Sequence, residues 1–198
     1  MKTVEIAVYQ FNELSDSAKE TAREWYRSTN GEDTFWSDCV IEDAKEIGLK
    51  MGIDIDKIYF SGFSSQGDGA CFEGYYSYQK GSVKSVKNYA PLDKELHSIA
   101  EGLQKVQKRV FYTATASVKQ RGHYMHSNCT SVDVGMADEY GQDVFSEVED
   151  ELTELLRDFM NWIYSRLEKE WDYINSDESV DESITINEYD FTEDGQRY

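Results

Sequence analysis

The chain has 198 residues, one proline and 39% apolar side chains, and its 39 Asp and Glu against 20 Lys and Arg give a formal charge of −19. That charge repels nucleic acid, and only the short basic stretches 80–87 and 105–109 run against it, so no direct nucleic-acid partner is expected. An aromatic share of 14% argues against a disordered chain, and the length suits a single domain with a real core.

Residues 3–11 alternate and carry Val4, Ile6 and Val8, which predicts a first strand. Ser15 then caps a helix with Leu14, Ala18, Ala22, Trp25 and Tyr26 at helical spacing, closed by Asn30 and Gly31. A second helix is expected from Thr34 or Ser37, with Val40, Ile41, Ala44, Ile47 and Met51 on its apolar face and Gly52 at its end. After a lead-in over 53–57, residues 58–63 and 71–78 alternate with aromatic enrichment around the loop 64–70, which predicts an antiparallel hairpin. In that loop Gly67 and Gly69 supply turn geometry and Asp68 caps its own backbone, while Gly62 and Gly74 mark bulges or close strand approach.

Residues 81–88 read as basic and irregular. Pro91 precedes a helix over 93–108 with Leu92, Leu96, Ile99, Leu103 and Val106 on one face. Residues 109–119 and 128–136 alternate as two further strands, joined by a connection that carries His123 and His126. A single amphipathic helix is predicted over 143–174, about 45 to 50 Å long, with Phe145, Leu152, Leu155, Phe159, Trp162 and Ile163 over the sheet, followed by an acidic linker over 176–182 and a last strand over 183–191. The order argues an α+β fold in one domain: an antiparallel sheet of four to six strands packed by three or four helices, with a long amphipathic helix and a strongly acidic part over 138–198.

Cys39, Cys71 and Cys129 are an odd number in unrelated contexts and read as small buried hydrophobes of a reducing compartment. No secretion signal and no membrane-length apolar run is visible, so a cytoplasmic location with no membrane partner is expected. His123, His126 and Cys129 recur every three residues, but three candidates without a CxxC partner do not argue a zinc site, and no metal or cofactor is expected. Ser61 or Ser127 with His126 and Asp68 offers the residue types of a nucleophile triad. No GxSxG, Walker or GxGxxG pattern accompanies them, so no catalytic residue is assigned.

Two candidate sites remain. The first is a ligand pocket between the hairpin loop (Ser61, Gln66, Gly67, Asp68, Gly69) and the turn (Tyr124, His126, Ser127), since loop tips on rigid strands often carry function. A nucleotide there would stack on Tyr59, Phe63, Tyr75 or Tyr124. The second is an acidic face. Residues 138–198 hold 20 Asp and Glu against four Lys and Arg, a balance of −16, whereas helix surfaces usually mix both signs. Glu147, Glu151, Glu154, Asp158, Glu168 and Asp172 would face water along the long helix and imitate a row of phosphates.

The stretches LSDSAKETAREWYR, FWSDCVIEDAKEIG, IYFSGFSSQGDGACFEG, GHYMHSNC and INEYDFTEDG together resemble a family of small acidic proteins encoded by bacteriophages and prophages, some of them labelled antitoxins of toxin-antitoxin systems. FSGFxSQGDGA is the most specific part, and relatives are often aromatic at the position of Ser64. The resemblance brings no catalytic set. It implies a phage-encoded protein acting in the host bacterial cytoplasm, and with the acidic face it leads to the first expectation, a non-enzymatic effector that inhibits a basic or nucleic-acid-binding host protein or a host defence. A small-ligand binder or enzyme at the loop and turn is the second. The third is an antitoxin or assembly partner, with a dimer among its open states, held by apolar contacts along the long helix.

Overall fold

The computed structural model describes residues 6–30, 35–137 and 142–198. The start of the expected first strand, Gly31, Thr34 and the acidic positions 138–141 lie outside the described residues. Along the chain, β1 (Tyr9–Gln10) leads through a 3-10 turn to α1 (Asp16–Asn30) and α2 (Trp36–Met51), then to β2 (Ile53–Phe60), β3 (Ala70–Ser77), α3 (Ser82–Tyr89) and α4 (Lys94–Arg109). There follow β4 (Thr115–Gln120), β5 (Thr130–Gly135), α5 (Gln142–Ile174), α6 (Asp177–Ile186) and β6 (Asp190–Phe191). The class is α+β, with the antiparallel sheets β2-β3-β4-β5 and β1-β6. Two compact units form, one from the described residues up to Ser37 with Lys169–Tyr198, the other from Asp38–Glu168.

In the smaller unit Ser15 Oγ accepts the Ala18 amide at 3.3 Å, the cap that the sequence implies. Ala18 and Ala22 of α1 share a core with Phe11, Leu14, Val180, Ile184 and Phe191. Arg23 joins α1 to α6 through both oxygens of Asp181, at 2.6 and 2.7 Å. Residues 176–189 depart from expectation, and the expected last strand is kept only as β6 at Asp190–Phe191. Ser176 Oγ accepts the Ser179 amide, Asp177 and Glu178 fill the first turn, and Val180 and Ile184 are buried. Carboxylates that read as a linker are N-terminal charges of α6, where the helix dipole favours them.

The larger unit is built on the four-stranded sheet. Ile53, Ile55 and Ile58 of β2 register with Tyr76, Gly74 and Phe72 of β3, and Tyr76 and Gly74 with Ala116 and Val118 of β4. All eight are buried, so they make one apolar face. β2 starts at Ile53 rather than 58, because exposed Asp54 and Asp56 alternate with buried Ile53 and Ile55. A bulge between Ile55 and Lys57 returns Ile58 to the apolar side. Gly74 is required opposite that bulge, since a Cβ there would stand 2.1 Å from the Asp54 carbonyl oxygen.

Two segments between strands also differ from expectation. Residues 81–88 fold as α3, started by Gly81 at φ 83 and anchored by buried Val86. The strand predicted from 109 begins only at Thr115. The fully buried Gln107 carboxamide bonds both the Ala114 carbonyl and the Ala114 amide, and the Tyr112 amide donates to the Gln107 carbonyl. These bonds hold Phe111 and Tyr112 at φ 48 and 64, a tight reversal that ends α4.

α5 seals the apolar face of the sheet, with Phe159 edge-on to Phe72 at 6.1 Å between ring centroids. Leu152, Leu156, Phe159, Met160, Ile163 and Leu167 are fully buried. Leu155 and Trp162, expected over the sheet, turn to the α4 side instead. Leu155 packs so close to Gly102 that a Cβ there would meet its Cδ2 at 2.5 Å. Trp162 Nε1 donates to Asp93 Oδ2 at 2.9 Å, and Arg166 donates to the same oxygen at 2.7 Å. The other Asp93 oxygen accepts the Leu96 amide and caps α4. At the far end Arg109 reaches Glu151 at 2.9 Å, so α4 and α5 run antiparallel.

Trp162→Ala should cost about 3 to 5 kcal/mol, as deletions of core aromatics do. Trp162→Phe, which keeps a ring but loses the bond to a carboxylate, should cost about 1.5 to 3 kcal/mol. Urea unfolding of both variants checks this, and equal costs would show that the indole N–H contributes nothing.

Burial opposes the charged form of Asp93, but the Leu96 amide, the Trp162 indole and Arg166 outweigh it and hold the carboxyl below its usual value. Its contribution is therefore fully present above the unfolded value of about 3.9 and is lost as pH falls through the lowered folded value. Asp93→Asn should flatten the acid limb of the stability curve in that window.

Candidate functional site

The hairpin loop and the turn before β5 lie against each other, as expected for a composite site. A Cβ on Gly67 would stand 3.3 Å from the Tyr124 ring, and one on Gly69 would stand 2.9 Å from His126 Cα. Yet the polar groups that would hold a ligand are engaged with their own backbone. Asp68 Oδ2 accepts the amides of Ser64 and Ser65 at 3.0 and 2.7 Å, and the Ser61 amide donates to the Gly69 carbonyl. His126 Nδ1 accepts the Asn128 amide at 3.1 Å, which leaves the proton of the neutral ring on Nε2. Ser127 is buried with its carbonyl bonded by Thr130 Oγ1, whereas Gln66 and Tyr124 are exposed. Ser61 Oγ is the exception, buried with no hydrogen-bond partner.

Tyr164 of α5 also belongs to this site. Its hydroxyl donates to the Gly62 carbonyl at 3.0 Å, and its ring stacks on Phe63, which in turn stacks on Phe60. Burial, then the charges of Glu168 and Asp68, raise the phenol above its usual range. Beside the turn, the Cys71 thiol is pushed up to about 11 by burial, with Cys129 and Glu73 adding to it. Glu73 accepts the Tyr59 hydroxyl at 2.9 Å and the Gln120 amide at 3.3 Å. Among the described residues no three His, Cys, Asp or Glu side chains gather to hold a metal ion, and His123 is exposed beside Tyr124.

The acidic candidates separate into two sets. Glu147, Glu151, Glu154 and Asp158 follow one ridge of α5 in the larger unit, whereas Glu168 is half-buried near Tyr164 and Asp172 falls within the smaller unit. Among the described residues two arginines balance the ridge: Arg109 lies 2.9 Å from Glu151 and 3.8 Å from Glu147, and Arg157 lies 3.1 Å from Glu154. Asp158 makes neither a hydrogen bond nor an ion pair, and partial burial and the Glu154 charge raise its carboxyl above the usual range. Beside the ridge, between α4 and α5, runs a groove of about 360 Å³ with Gly102 and Leu155 among its walls.

Two outcomes follow from these environments. A carboxyl raised by folding costs stability when ionised, so Asp158→Asn should raise the melting temperature at pH 7, and the gain should vanish near pH 3, where Asp158 is protonated in both states. A gain that persists at the lower pH would assign it to packing instead of charge. Asp68→Ala should speed hydrogen exchange at the Ser64 and Ser65 amides with little change in global unfolding, because it frees only the loop's own cap.

A family model described as a domain of unknown function, DUF8835, matches residues 36–177. No curated protein and no solved structure matches the chain. The matched stretch holds the whole four-stranded sheet, the loop, the turn and all of α5, more than two thirds of the 198 residues. The chain therefore belongs to the DUF8835 family.

Proposed function

We propose that the protein is a phage-encoded, non-enzymatic effector that binds a basic host protein, one that handles nucleic acid or serves in defence, through the acidic ridge of α5. The supporting observation is charge density. On that side of α5 residues 147–158 carry five carboxylates, Glu147, Asp150, Glu151, Glu154 and Asp158, along about 18 Å of helix, roughly one per 4 Å, near the 3.4 Å per charge of a single DNA strand. Arg109 and Arg157 offset only part of it. The resemblance of its sequence motifs to those of phage-encoded proteins supports the setting.

The assembly reading has less to stand on, because the apolar stripe of α5 is used inside the fold. Val148, Leu152, Leu156 and Leu167 are all fully buried, and Val144 and Tyr173 are the large apolar side chains of α5 left exposed among the described residues. The ligand reading keeps one supporting observation, the unpartnered Ser61 Oγ beside the packed loop. A melting shift with any member of a nucleotide panel, lost in Ser61→Ala, would favour it.

Affinity purification from infected cells tests the main reading. Wild-type protein should capture a basic, nucleic-acid-handling or defence protein at about 0.1 M salt and release it near 1 M, where the screening length falls from about 10 to 3 Å. The variant E147Q/E151Q/E154Q/D158N should remain folded, since exposed ion pairs contribute about 0 to 1 kcal/mol each, and should capture nothing basic. Capture that withstands 1 M salt, or that the variant retains, would remove the acidic ridge from the mechanism.

A further inference from the structure

The groove between α4 and α5 combines an apolar floor with an acidic rim. Its floor is apolar: Gly102 lets Leu155 sink against α4 and leaves a trough of about 360 Å³, at the lower end of the range for ligand clefts. Its rim carries Asp150, Glu151, Glu154 and Asp158, with Lys105 the one basic side chain lining it among the described residues. Glu151 already pairs with Arg109, which leaves Asp150, Glu154 and Asp158 as candidate partners for a ligand. These three carboxylates recur every fourth residue, so they stand about 6 Å apart along one ridge. Among the described residues Asp150 and Asp158 have no hydrogen-bond or ion-pair partner, while Arg157 takes up Glu154. A point cation suits this poorly, because the carboxylates are spread along about 12 Å instead of converging, and among the described residues no metal-holding group is gathered.

A side chain that is apolar along its stem and charged at its tip satisfies both parts of the groove at once. Its methylenes cover Leu155 and its guanidinium pairs with one carboxylate of the rim, Asp150 or Asp158. Arginine suits this better than lysine, since its planar fork bonds carboxylates in pairs and is more weakly hydrated. The 6 Å repeat matches arginines four residues apart on a second helix, whose ridge would lie in the groove between α4 and α5.

We propose that this groove is the specificity element of the acidic face and that it seats a basic helix of the partner with arginines at every fourth position. This rests on the reading of α5 as a surface for a basic protein, and it adds where and how that partner is read.

The test uses a 16-residue alanine-based helical peptide with arginine at every fourth position, the same peptide with uncharged citrulline in place of arginine, and the full chain. The arginine peptide should bind, shift the amide resonances of Gly102, Leu155 and Asp158, and lower the Asp158 carboxyl toward its ordinary value. D150N/D158N should weaken it at least tenfold. D54N/D56N, which removes two exposed carboxylates of β2 outside the groove, should weaken it less than twofold. Equal losses in the two double variants would overturn the groove and leave a diffuse acidic surface standing. Equal binding of the citrulline peptide would overturn the recognition of charge. No binding by the arginine peptide, while wild-type protein still captures a basic host protein from infected cells, would overturn the groove alone, and failure of both would remove the acidic-surface reading with it.

Discussion

Asp93 holds the end of a seam on which the acidic face depends. One of its oxygens closes the first turn of α4 and the other takes the Trp162 indole and the Arg166 guanidinium of α5, so a single carboxylate fixes where one helix begins and where the second crosses it. Farther along, the missing side chain of Gly102 admits Leu155, and at the far end Arg109 ties down Glu151. The three points span about 24 Å of α4. An acidic ridge on a free helix would bend and rotate under its own repulsion, and the seam holds it in one orientation.

The seam also explains how so much like charge is tolerated. The inward side of α5 buries Leu152, Leu156, Phe159, Met160, Ile163 and Leu167, each contributing about 1.5 to 3 kcal/mol, and this far exceeds the repulsion between carboxylates that water screens. Repulsion becomes visible at Asp158, where partial burial weakens that screening and Glu154 is close. Apolar burial and exposed charge are thus divided between two sides of one helix, and charge on the outer side can change with little effect on the inner.

Patterns that depend on near neighbours were legible in the sequence. Ser15 as a cap, the buried set of α5 and the Asp68 loop all follow from residues within a few positions of one another. Gly67 and Gly69 were read as turn residues, and what the chain order concealed is that their bare backbone also admits Tyr124 and His126 from nearly 60 positions away. The misread segments share a cause as well. The α6 carboxylates take their meaning from a helix dipole, and the late start of β4 from a carboxamide, Gln107, buried seven residues earlier. Tyr164 was hidden because its position in α5 breaks the apolar spacing, and its partner, the Gly62 carbonyl, carries no side-chain signal.

The bulge in β2 has a bearing on how any protein can approach the larger unit. β2 and β5 are the outermost strands of the sheet, where unpaired backbone groups would ordinarily invite another chain to add a strand. On β2 the bulge breaks the repeat and Asp54, Asp56 and Lys57 stand exposed, while β5 is six residues long and carries exposed Asp133 and Gly135. Backbone zippering is discouraged at both rims, which guards the chain against edge-to-edge self-association.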